Sequence, residues 1–491
     1  MHHDSSSTLT APSSTTTTST TTTTTTSATA TATATTTLTG DRLSPWHAPL
    51  RRLLARVRHG QLSLTLPDGR RIEVVGAAPG PRAELRLHRW RPAWRLLLQG
   101  DLGLALSYRD GDWSSADLTE LLRFGLANEA ALGVIESRGP ARWLARWRHR
   151  ANANTRRGSR HNIAAHYDLG NEFYARWLDE SMLYSSAIYD AEEARSTADA
   201  EDEALLAPSP AKRERAGGEG SPNGTACVER ALTPTPLPLR GRGADAASPQ
   251  TLESAQAQRL DRIVELLDPR AGERVLEIGC GWGTLAATLA RRCGVEVVGV
   301  TLSTEQLAFA RERAAQYGVA PEVDLRLQDY RDISGQFDRI VSIEMIEAVG
   351  EAYWPTYFAT LKDRLKPGGV AVLQAITIDE SQFERYRDSP DFIQHCIFPG
   401  GMLPTPERMA AEARRAGLRL TTESRFGRGY ALTLREWRRR FLAEWPAIQA
   451  LGFDEAFRRL WTYYLCYCEA GFLAGRVDVG LYRLTHADGE R

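Results

Sequence analysis

The sequence predicts an α/β protein with a predominantly parallel sheet, and two observations support this prediction. The first is that short apolar segments alternate with segments of helical periodicity from Thr251 onward, as in a sheet covered by helices on both faces. The apolar segments are rich in β-branched residues and lack polar alternation, which is typical of strands buried on both sides. The predicted strands are RVLEIG, VEVVGVTL, VDLRLQD, FDRIVSI and GGVAVLQAITI.

The second observation is a glycine-rich loop between the first strand and the helix that follows it. In VLEIGCGWG, Gly279, Gly281 and Gly283 allow positive φ angles and a close approach of a ligand to the backbone. Glu277 precedes the first glycine by two residues, and the GxGxxG continuation typical of dinucleotide sites is missing. The loop resembles motif I of the Rossmann-like methyltransferases that bind S-adenosylmethionine.

Two carboxylates, Glu344 and Glu347, follow the strand FDRIVSI in an otherwise apolar setting. At an arbitrary strand end, such residues belong to a solvated turn before a helix. In a parallel sheet, however, ligands bind beyond the carboxyl ends of the strands. The sequence therefore indicates a functional role for at least one of these two residues.

Composition divides the chain into five segments. Residues 1–40 are mostly Thr, Ser and Ala and predict a disordered tail, and residues 201–250, rich in Pro, Gly and charge, predict a disordered insertion. Residues 41–140 predict a small α+β domain with a hairpin, QLSLTLPDGRRIEVVG, and an amphipathic helix, SADLTELLRFGLAN. A basic linker and the start of the second domain occupy residues 141–200, and residues 251–491 complete that domain.

The charge is unevenly distributed, although the net charge of the chain is zero. Residues 41–160 contain 22 arginines, no lysine and 11 acidic residues, which suggests a polyanionic partner, either nucleic acid or anionic lipid. Within this part, residues 142–160 carry seven arginines and two tryptophans without a nucleic-acid-binding motif. This pattern favours a helix on an anionic membrane surface over nucleic acid, with a solvated linker helix as the alternative.

No segment of the sequence approaches the roughly 18 apolar residues that span a bilayer, and the N-terminus lacks a secretory signal pattern. The six cysteines show neither a disulfide framework nor metal-binding spacing, so no metal site is predicted. We therefore expect a cytoplasmic protein that associates peripherally with the inner face of the membrane.

Several motifs occur along the chain in the order HYDLGNEFY, LYSSA, VLEIGCGWG, GVTLSTEQ and FDRIVSIEMIEAVG. In this order they resemble the cyclopropane-fatty-acyl-phospholipid synthase family, which includes the mycolic acid cyclopropane synthases, over most of residues 41–491. The resemblance implies a Rossmann-like class I methyltransferase fold with a small N-terminal α+β lipid-binding domain. It also implies S-adenosylmethionine and a bicarbonate ion as cofactors and an unsaturated phospholipid as the substrate, and it leaves a homodimer open.

The resemblance also assigns the residues that bind the cofactor. Tyr184 and Ser185 would contact the carboxylate end of S-adenosylmethionine, and Asp329 would lie beside the adenine. The cofactor-binding residues implied in this way are Tyr184, Ser185, Glu277, Gly279, Gly281, Gly283, Thr301, Gln306 and Asp329.

A cis double bond that attacks the sulfonium methyl group becomes a carbocation, so a base must then remove a proton. Loss of a proton from the new methyl group closes a cyclopropane, whereas loss from an adjacent carbon leaves an alkene. By resemblance, the base is the bicarbonate ion, held by Glu347, Tyr430 and the backbone of Ile376. Glu344, at a position where many relatives carry glycine, would lie near the cofactor or be structural.

Three residues depart from the family pattern. Ser186 replaces a cysteine, and Ala348 and Gln374 each replace a histidine; a glutamine can donate to an anion but cannot carry its proton. Three functions therefore stay open: a cyclopropane-fatty-acyl-phospholipid synthase, a C-methyltransferase that makes methylene- or methyl-branched chains, and a non-catalytic lipid-binding relative. The predicted catalytic residues are Glu347, Tyr430, Gln374, Ser186 and Ile376.

Overall fold

The computed structural model describes residues 35–39, 48–133, 154–156, 158–159, 169–190 and 250–487. Most of the Thr-rich tail, most of the basic segment 142–160 and nearly all of the insertion predicted at 201–250 lie outside the described residues. The predicted membrane-surface helix belongs to that basic segment and stays a prediction.

A five-stranded sheet forms the N-terminal part of the molecule, in the order β1-β3-β2-β4-β5. Its strands are Thr35–Thr39 (β1), His59–Thr65 (β2), Arg71–Val75 (β3), Ala78–Leu87 (β4) and Trp113–Ser114 (β5). The helices described here are Ala48–Leu54 (α1), Arg91–Gln99 (α2), Asp101–Arg109 (α3), Leu118–Ala127 (α4) and Glu129–Leu132 (α5). Strands β2 and β3 pair antiparallel around a turn at Gly69, whose φ is 84°, which confirms the predicted hairpin.

Strand β1 corrects the predicted end of the Thr-rich tail. Thr35–Thr39 pair antiparallel with β3, so the disorder predicted through residue 40 does not extend over these residues. Threonine is β-branched and favours extended structure, and the edge of β3 offers backbone groups that the added strand satisfies.

A seven-stranded sheet forms the second part, in the order β11-β12-β10-β9-β6-β7-β8. Its strands are Arg274–Ile278 (β6), Glu296–Thr301 (β7), Val323–Leu327 (β8), Phe337–Ile343 (β9), Leu365–Ile378 (β10), Leu418–Arg425 (β11) and Val477–His486 (β12). Strands β6 to β10 run parallel, which confirms the predicted sheet. Strands β11 and β12 add an antiparallel edge that the sequence analysis did not anticipate.

Helices cover this second sheet, as the alternating pattern predicts. The helices described are Asn171–Ala175 (α6), Leu252–Leu267 (α7), Thr284–Cys293 (α8), Thr304–Gln316 (α9), Trp354–Arg364 (α10), Glu380–Asp388 (α11), Phe392–Cys396 (α12), Pro406–Arg415 (α13), Gly427–Ala443 (α14), Trp445–Ala450 (α15) and Glu455–Leu473 (α16). Thr251 caps α7 by accepting a hydrogen bond from the Ser254 N–H. Among the described residues, no helix combines the length and the apolar character needed to cross a membrane.

The chain reverses direction across the second sheet at strand β6. It leaves β6 toward β7 and later returns to the other side of β6 as β9, so β6 lies between strands that follow it in the sequence. Such a reversal opens a crevice at the carboxyl ends of the two strands. The glycine loop after β6 and Glu344 after β9 therefore border the same crevice.

Both sheets belong to one compact unit, and a buried ion cluster joins them. Glu469 of α16, 1% exposed, pairs with Arg435 and Arg438 of α14. It also accepts a hydrogen bond from the Thr119 hydroxyl of α4 at 3.0 Å. Because a buried charge that loses its partner is costly, this cluster fixes the N-terminal part against the second sheet.

The described residues on either side of the predicted insertion are neighbours in space. The Asp190 N–H donates to Gln250 Oε1 at 2.8 Å, and Gln258 Nε2 donates to Asp190 Oδ1 at 3.0 Å. The start of α7 therefore lies close in space to Asp190.

We expect Gly283→Ala to lower the free energy of unfolding more than Gly335→Ala does. The φ angles of these glycines are 81° and 84°, so alanine is strained at both. A Cβ at Gly283 would lie 2.8 Å from Ala310 Cβ, whereas a Cβ at Gly335 would meet nothing within 4 Å. Overpacking between α8 and α9 should add about 1–3 kcal/mol to the loss at Gly283. Urea denaturation measures both losses, and equal values would contradict the tight contact.

Candidate functional site

The glycine loop after β6 is open at one position and packed at two others. Gly281 has a φ of 51°, and a Cβ built there would meet nothing within 4 Å. At Gly283 helix α9 occupies the corresponding space, and at Gly279 a Cβ would lie 3.2 Å from Met345 Cγ. A ligand therefore finds most room at the backbone of Gly281.

Glu277 lies just before this loop, and its side chain is buried, with the residue 3% exposed. It accepts a hydrogen bond from the Ala286 N–H in the first turn of α8, where the helix dipole favours a negative group. Burial raises the pKa of Glu277 to about 8, while this hydrogen bond and the charge of Arg259 oppose the increase. Its Oε2 has no partner in the described part of the chain, so a donor from a ligand would satisfy it.

Thr301 and Gln306 follow the neighbouring strand β7, and both are buried. Thr301 Oγ1 donates to Gln306 Oε1 at 3.0 Å, and the Gln306 N–H donates to the Ser303 hydroxyl at 3.2 Å. The Gly279 N–H donates to the Val300 carbonyl at 3.0 Å, which places this turn beside the glycine loop. The two predicted residues thus orient each other at the same edge of the sheet.

Asp329 follows β8 and forms a buried ion pair with Arg331. The distance between Arg331 Nη2 and Asp329 Oδ2 is 2.6 Å, and Arg331 Nη1 donates to the Asn154 carbonyl at 3.2 Å. Burial tends to raise the pKa of Asp329, but the hydrogen bonds and charge of Arg331 outweigh it and lower the pKa. Asp329 is therefore a fixed negative charge at the end of the third parallel strand.

Tyr184 and Ser185 lie in the segment before the insertion, near the aromatic core. The Tyr184 hydroxyl is hydrogen-bonded to the Tyr464 hydroxyl at 2.8 Å, and its ring packs against Trp177 and Trp437. Ser185 is buried, and its carbonyl accepts a hydrogen bond from Gln256 at 2.9 Å. This contact involves the backbone of Ser185, so the predicted role of its side chain at the cofactor stays a prediction.

Glu344, the first residue after β9, is held by three hydrogen-bond donors. Its Oε1 accepts from the Ser186 N–H at 2.9 Å and from Gln374 Nε2 at 2.7 Å. Its Oε2 accepts from the Tyr430 hydroxyl at 2.7 Å. Burial raises the pKa of Glu344, and these hydrogen bonds, together with the positive charge of Arg259, oppose the increase. The network is therefore built to hold an ionised carboxylate away from water.

Arg259 of α7 extends this network on the side away from Tyr430. It is 1% exposed, and its Nη1 donates to Gln374 Oε1 at 3.4 Å. Burial lowers the pKa of Arg259 to about 10, and the charge of Glu344 opposes this decrease. At neutral pH the arginine is charged and partly balances the buried carboxylate.

Glu347 lies in the short 3₁₀ helix Ile346–Ala348. Its Oε1 accepts from the Ile376 N–H at 2.6 Å, and its buried Oε2 has no partner among the described residues. Burial, and secondarily the nearby Glu344, raise the pKa of Glu347 to about 8, against the hydrogen bond from Ile376. At neutral pH Glu347 therefore carries a proton for most of the time.

A cavity of about 640 Å³ begins at these two carboxyl groups and extends into the N-terminal part of the molecule. The inner wall of the cavity includes Tyr184, Ala348 and Tyr464. Further out, aliphatic side chains of α1, β2, β4, α2 and α4 line it, among them Leu54, Leu62, Leu64, Leu85, Leu96 and Leu121. This volume and lining suit a long aliphatic ligand.

The structure brings some of the predicted catalytic residues to the cavity and leaves others behind it. The cavity wall includes Glu347, Tyr430 and Ile376. Ser186 is 0% exposed and Gln374 is 1% exposed, and both contact the far side of Glu344 instead of lining the cavity. The geometry therefore gives these two residues contacts with Glu344, and their catalytic roles stay predictions.

Sequence reasoning missed the roles of Glu344 and Arg259. The signal for Arg259 was a charged residue on the apolar face of the helix LESAQAQRLDRIVELL. The signal for Glu344 was a carboxylate at a position where the resemblance implies glycine, which indicates an unusual backbone conformation; its φ is 47°. Neither signal reveals the partner residues, which come from distant parts of the chain.

Comparisons with known proteins agree with this geometry. The family model described as mycolic acid cyclopropane synthetase matches residues 154–205 and 246–481. The tuberculostearic acid methyltransferase of Mycobacterium tuberculosis is 36% identical over 437 residues, which cover 87% of this chain and 88% of that protein. The cyclopropane-fatty-acyl-phospholipid synthase of Escherichia coli K12 is 33% identical over 435 residues, which cover 85% of this chain and 90% of that protein.

A solved structure supports the assignment of the fold. The cyclopropane synthase MmaA2 from Mycobacterium tuberculosis is 25% identical, with a TM-score of 0.51, and the match covers 66% of this chain and 97% of that chain. The seven-stranded sheet with its glycine loop is the class I methyltransferase fold, which confirms the predicted fold class.

We expect the Glu347→Gln variant to lose less stability than the wild type as the pH rises. The pKa of Glu347 is about 8 in the folded protein, against a reference value of 4.5. Between pH 4.5 and pH 8, the folded state therefore holds a proton on Glu347 that the unfolded state has lost. The free energy of unfolding therefore falls as the pH rises through this range, by up to about 1.4 kcal/mol per pH unit from this group. Glutamine carries no such proton.

Urea denaturation between about pH 5 and 8 measures this difference in slope. Glu265→Gln is the matched control, because that side chain is 69% exposed. The control should follow the wild type, and a Glu347→Gln curve parallel to the wild type would contradict the raised pKa.

Proposed function

Because the chain belongs to the mycolic acid cyclopropane synthetase family of S-adenosylmethionine-dependent methyltransferases, we propose that it transfers a one-carbon unit to a cis double bond in an unsaturated phospholipid acyl chain. The observation that carries this proposal is the apolar cavity that ends at Glu344, Glu347 and Tyr430. An aliphatic chain in this cavity would place its interior carbons beside buried polar groups.

The polar end of the cavity supports a phospholipid as the source of the chain. Glu129, Arg385 and Arg476 all belong to the cavity wall. Glu129 pairs with Arg476 at 2.7 Å and with Arg385 at 2.5 Å, so one negative charge faces two positive charges. Asp101 and Asp391 also belong to the wall, and Asp101 interacts with Arg385, so this end carries charges of both signs. Its two guanidinium groups are the groups that a lipid phosphate would bind.

The residues at the ends of β6, β7 and β8 fit S-adenosylmethionine. The open space at Gly281 admits a ligand to the backbone, and the unpaired Oε2 of Glu277 suits a donor such as an ammonium group. Asp329 would receive the adenosine end. When bound, the cofactor supplies an electrophilic methyl group. Gly279, Gly283, Thr301, Gln306, Tyr184 and Ser185 would complete the predicted set.

The residues around the inner cavity would favour the positive charge that develops on the acyl chain. The carboxyl group of Glu344 is fixed in advance by three donors that favour its charged form, and in that form it would stabilise a nearby cation without reorganisation. The rings of Tyr184, Tyr430 and Tyr464 line the same space and add the attraction of their faces for a cation. The apolar wall excludes water that would otherwise add to the cation.

The residues that the resemblance assigns to bicarbonate do not fit an added ion. The Ile376 N–H already donates to Glu347, and the Tyr430 hydroxyl already donates to Glu344. Gln374, which replaces a family histidine, also donates to Glu344. These three donors are therefore engaged, which leaves only the unpaired Oε2 of Glu347 for an added ion among the residues so assigned, and we draw no step through bicarbonate.

Two products follow from the same alkylated chain. Loss of a proton from the new methyl group closes a cyclopropane, whereas a hydride shift onto the cationic carbon before that loss gives a methylene branch, which a separate reductase would convert to a methyl branch. A cyclopropane is the product named for the relative from Escherichia coli, and we propose it as the first candidate. A methylene- or methyl-branched chain is the second, because the relative that is 36% identical is named a tuberculostearic acid methyltransferase and Gln374 alters the surroundings of the base.

Product analysis tests the proposed function. The protein is incubated with S-adenosylmethionine and a cis-monounsaturated phospholipid in vesicles, and the acyl chains are examined by mass spectrometry after derivatisation of double bonds. A cyclopropane adds CH₂ and removes the alkene, whereas a methylene branch adds CH₂ and keeps unsaturation. Unchanged chains across several headgroups, with S-adenosylmethionine still bound, would favour a non-catalytic lipid-binding protein.

Helix α2 is the surface that we propose to contact an anionic membrane. Trp90, Trp94 and Leu98 recur every four residues on one face, and they are 39%, 66% and 64% exposed. Pro92 and Leu96 of the same helix line the cavity. A membrane against the exposed face would therefore be one helix away from the space for the acyl chain, which supports peripheral binding.

We expect the double substitution Trp94→Ala and Leu98→Ala to weaken binding to phosphatidylglycerol vesicles by at least about tenfold. The basis is the loss of large apolar side chains, each worth about 1.5–3 kcal/mol when fully buried. Co-sedimentation with vesicles measures the binding. Leu327→Ala is the matched control, since Leu327 is 46% exposed on β8. Equal binding by the double variant and the control would remove α2 from the membrane contact.

A further inference from the structure

Glu344 adopts a backbone conformation that glutamate disfavours. Its φ is 47°, in the left-handed region, where a residue with a Cβ is strained. The Glu344 N–H donates to the Gln374 carbonyl at 2.8 Å, which anchors the strained residue to β10. Glycine would adopt this conformation without strain. The carboxylate is therefore present at this position in spite of the backbone strain that it adds.

The side chain of Glu344 fills a site built for an anion. Ser186, Gln374 and Tyr430 supply one donor each, at 2.9, 2.7 and 2.7 Å, and they come from three separate segments. Without the Glu344 side chain, these donors would surround an anion-sized space beside the cavity. Arg259 behind Gln374 adds a buried positive charge to the same site.

We propose that the Glu344 carboxylate is the base that removes the proton from the alkylated acyl chain, in the place of an added bicarbonate ion. The inference rests on the proposed transfer to an acyl chain. Glu344 is part of the cavity wall, so it is in reach of a chain carbon, whereas Ser186 and Gln374 act as positioning residues behind it.

The proton transfer is balanced without a further reactant. For a cyclopropane, a C–H bond of the new methyl group breaks, and its electron pair forms the third ring bond to the cationic carbon. For an alkene, a C–H bond on a carbon next to the cationic carbon breaks, and its electron pair forms the new double bond. The proton moves to the carboxylate of Glu344, which becomes a neutral carboxylic acid, and the positive charge of the chain disappears. Release of that proton to solvent restores the carboxylate.

Glu347 is less suited to this role than Glu344. It has a single hydrogen bond from the Ile376 N–H, and its other oxygen has no partner in the described part of the chain. Its pKa, raised to about 8 by burial, keeps it protonated at neutral pH. Burial raises the pKa of Glu344 as well, but its three donors and the charge of Arg259 oppose the increase. The surroundings of Glu344 therefore favour the charged form more than those of Glu347 do.

Glu344→Gly tests the inference by deleting the carboxylate at a position where glycine fits the backbone. In buffer depleted of carbon dioxide and bicarbonate, the wild type should keep its turnover, and Glu344→Gly should lose about 10²–10⁴-fold in kcat with little change in the KM for S-adenosylmethionine. Added bicarbonate or formate should restore a substantial part of the lost kcat, because it enters the vacated anion site.

Asp268→Gly is the matched control. Asp268 also has a positive φ, of 45°, but it is exposed at the end of α7, away from the cavity. This variant should keep wild-type turnover and should not respond to bicarbonate. Dependence of the wild type on bicarbonate, at least a tenth of wild-type turnover in Glu344→Gly without added anion, or a loss that no anion restores would each overturn the assignment.

A binding measurement separates this inference from the proposed function. Titration of ¹³C-bicarbonate, followed by NMR, should show binding to Glu344→Gly and none to the wild type at the same concentrations. Equal binding by both would overturn the inference even if the lipid product is found. If the wild type alters no lipid but the difference in binding holds, the proposed function fails while Glu344 still occupies the anion site.

Discussion

The buried carboxylate of Glu344 is the constraint that the rest of the site depends on. Its three donors come from the segment before the insertion, from β10 and from α14, so the network closes only when all three are in place. An ionised carboxylate in an apolar setting is costly unless such donors compensate it. The same contacts that satisfy the charge therefore hold the inner end of the cavity in one arrangement.

Glu347 is a second carboxyl group close to Glu344, and its surroundings differ. It accepts a hydrogen bond from the Ile376 N–H alone, and burial raises its pKa to about 8, so it carries a proton for most of the time at neutral pH. Two interacting carboxyl groups lose their protons in steps that belong to the pair. Protonation of Glu347 thus avoids a second negative charge beside the apolar cavity, where that charge would lack compensation.

Much of the fold could be predicted from the sequence, because it depends on local patterns. The β-branched apolar runs marked the parallel strands, and Thr251 with the periodic segment after it marked helix α7. Strand β11 was not predicted, because its sequence, LRLTTESR, is mostly polar. Such a sequence is also typical of a turn. Strand β1 was not predicted, because it belongs to a low-complexity run of threonines whose sequence does not indicate where strand pairing begins.

The site was predictable only in part, since its contacts join distant positions. The sequence placed Glu347, Tyr430 and Ile376 together by resemblance, and all three line the cavity. It did not reveal that Tyr430 would bond to Glu344, 86 residues away, in place of an ion. The cavity itself arises between two sheets, so no single segment carries its pattern.

The hydrogen bonds between Asp190, Gln250 and Gln258 determine how much a change in length of the segment between them would cost. They hold together the described residues on either side of the Pro- and Gly-rich segment. The sequence predicts disorder for residues 201–250, and closing a disordered loop costs only about 0.6 kcal/mol more for each doubling of its length. On this prediction, residues can be gained or lost in that segment at small energetic cost, while the carboxylates and glycines stay in place.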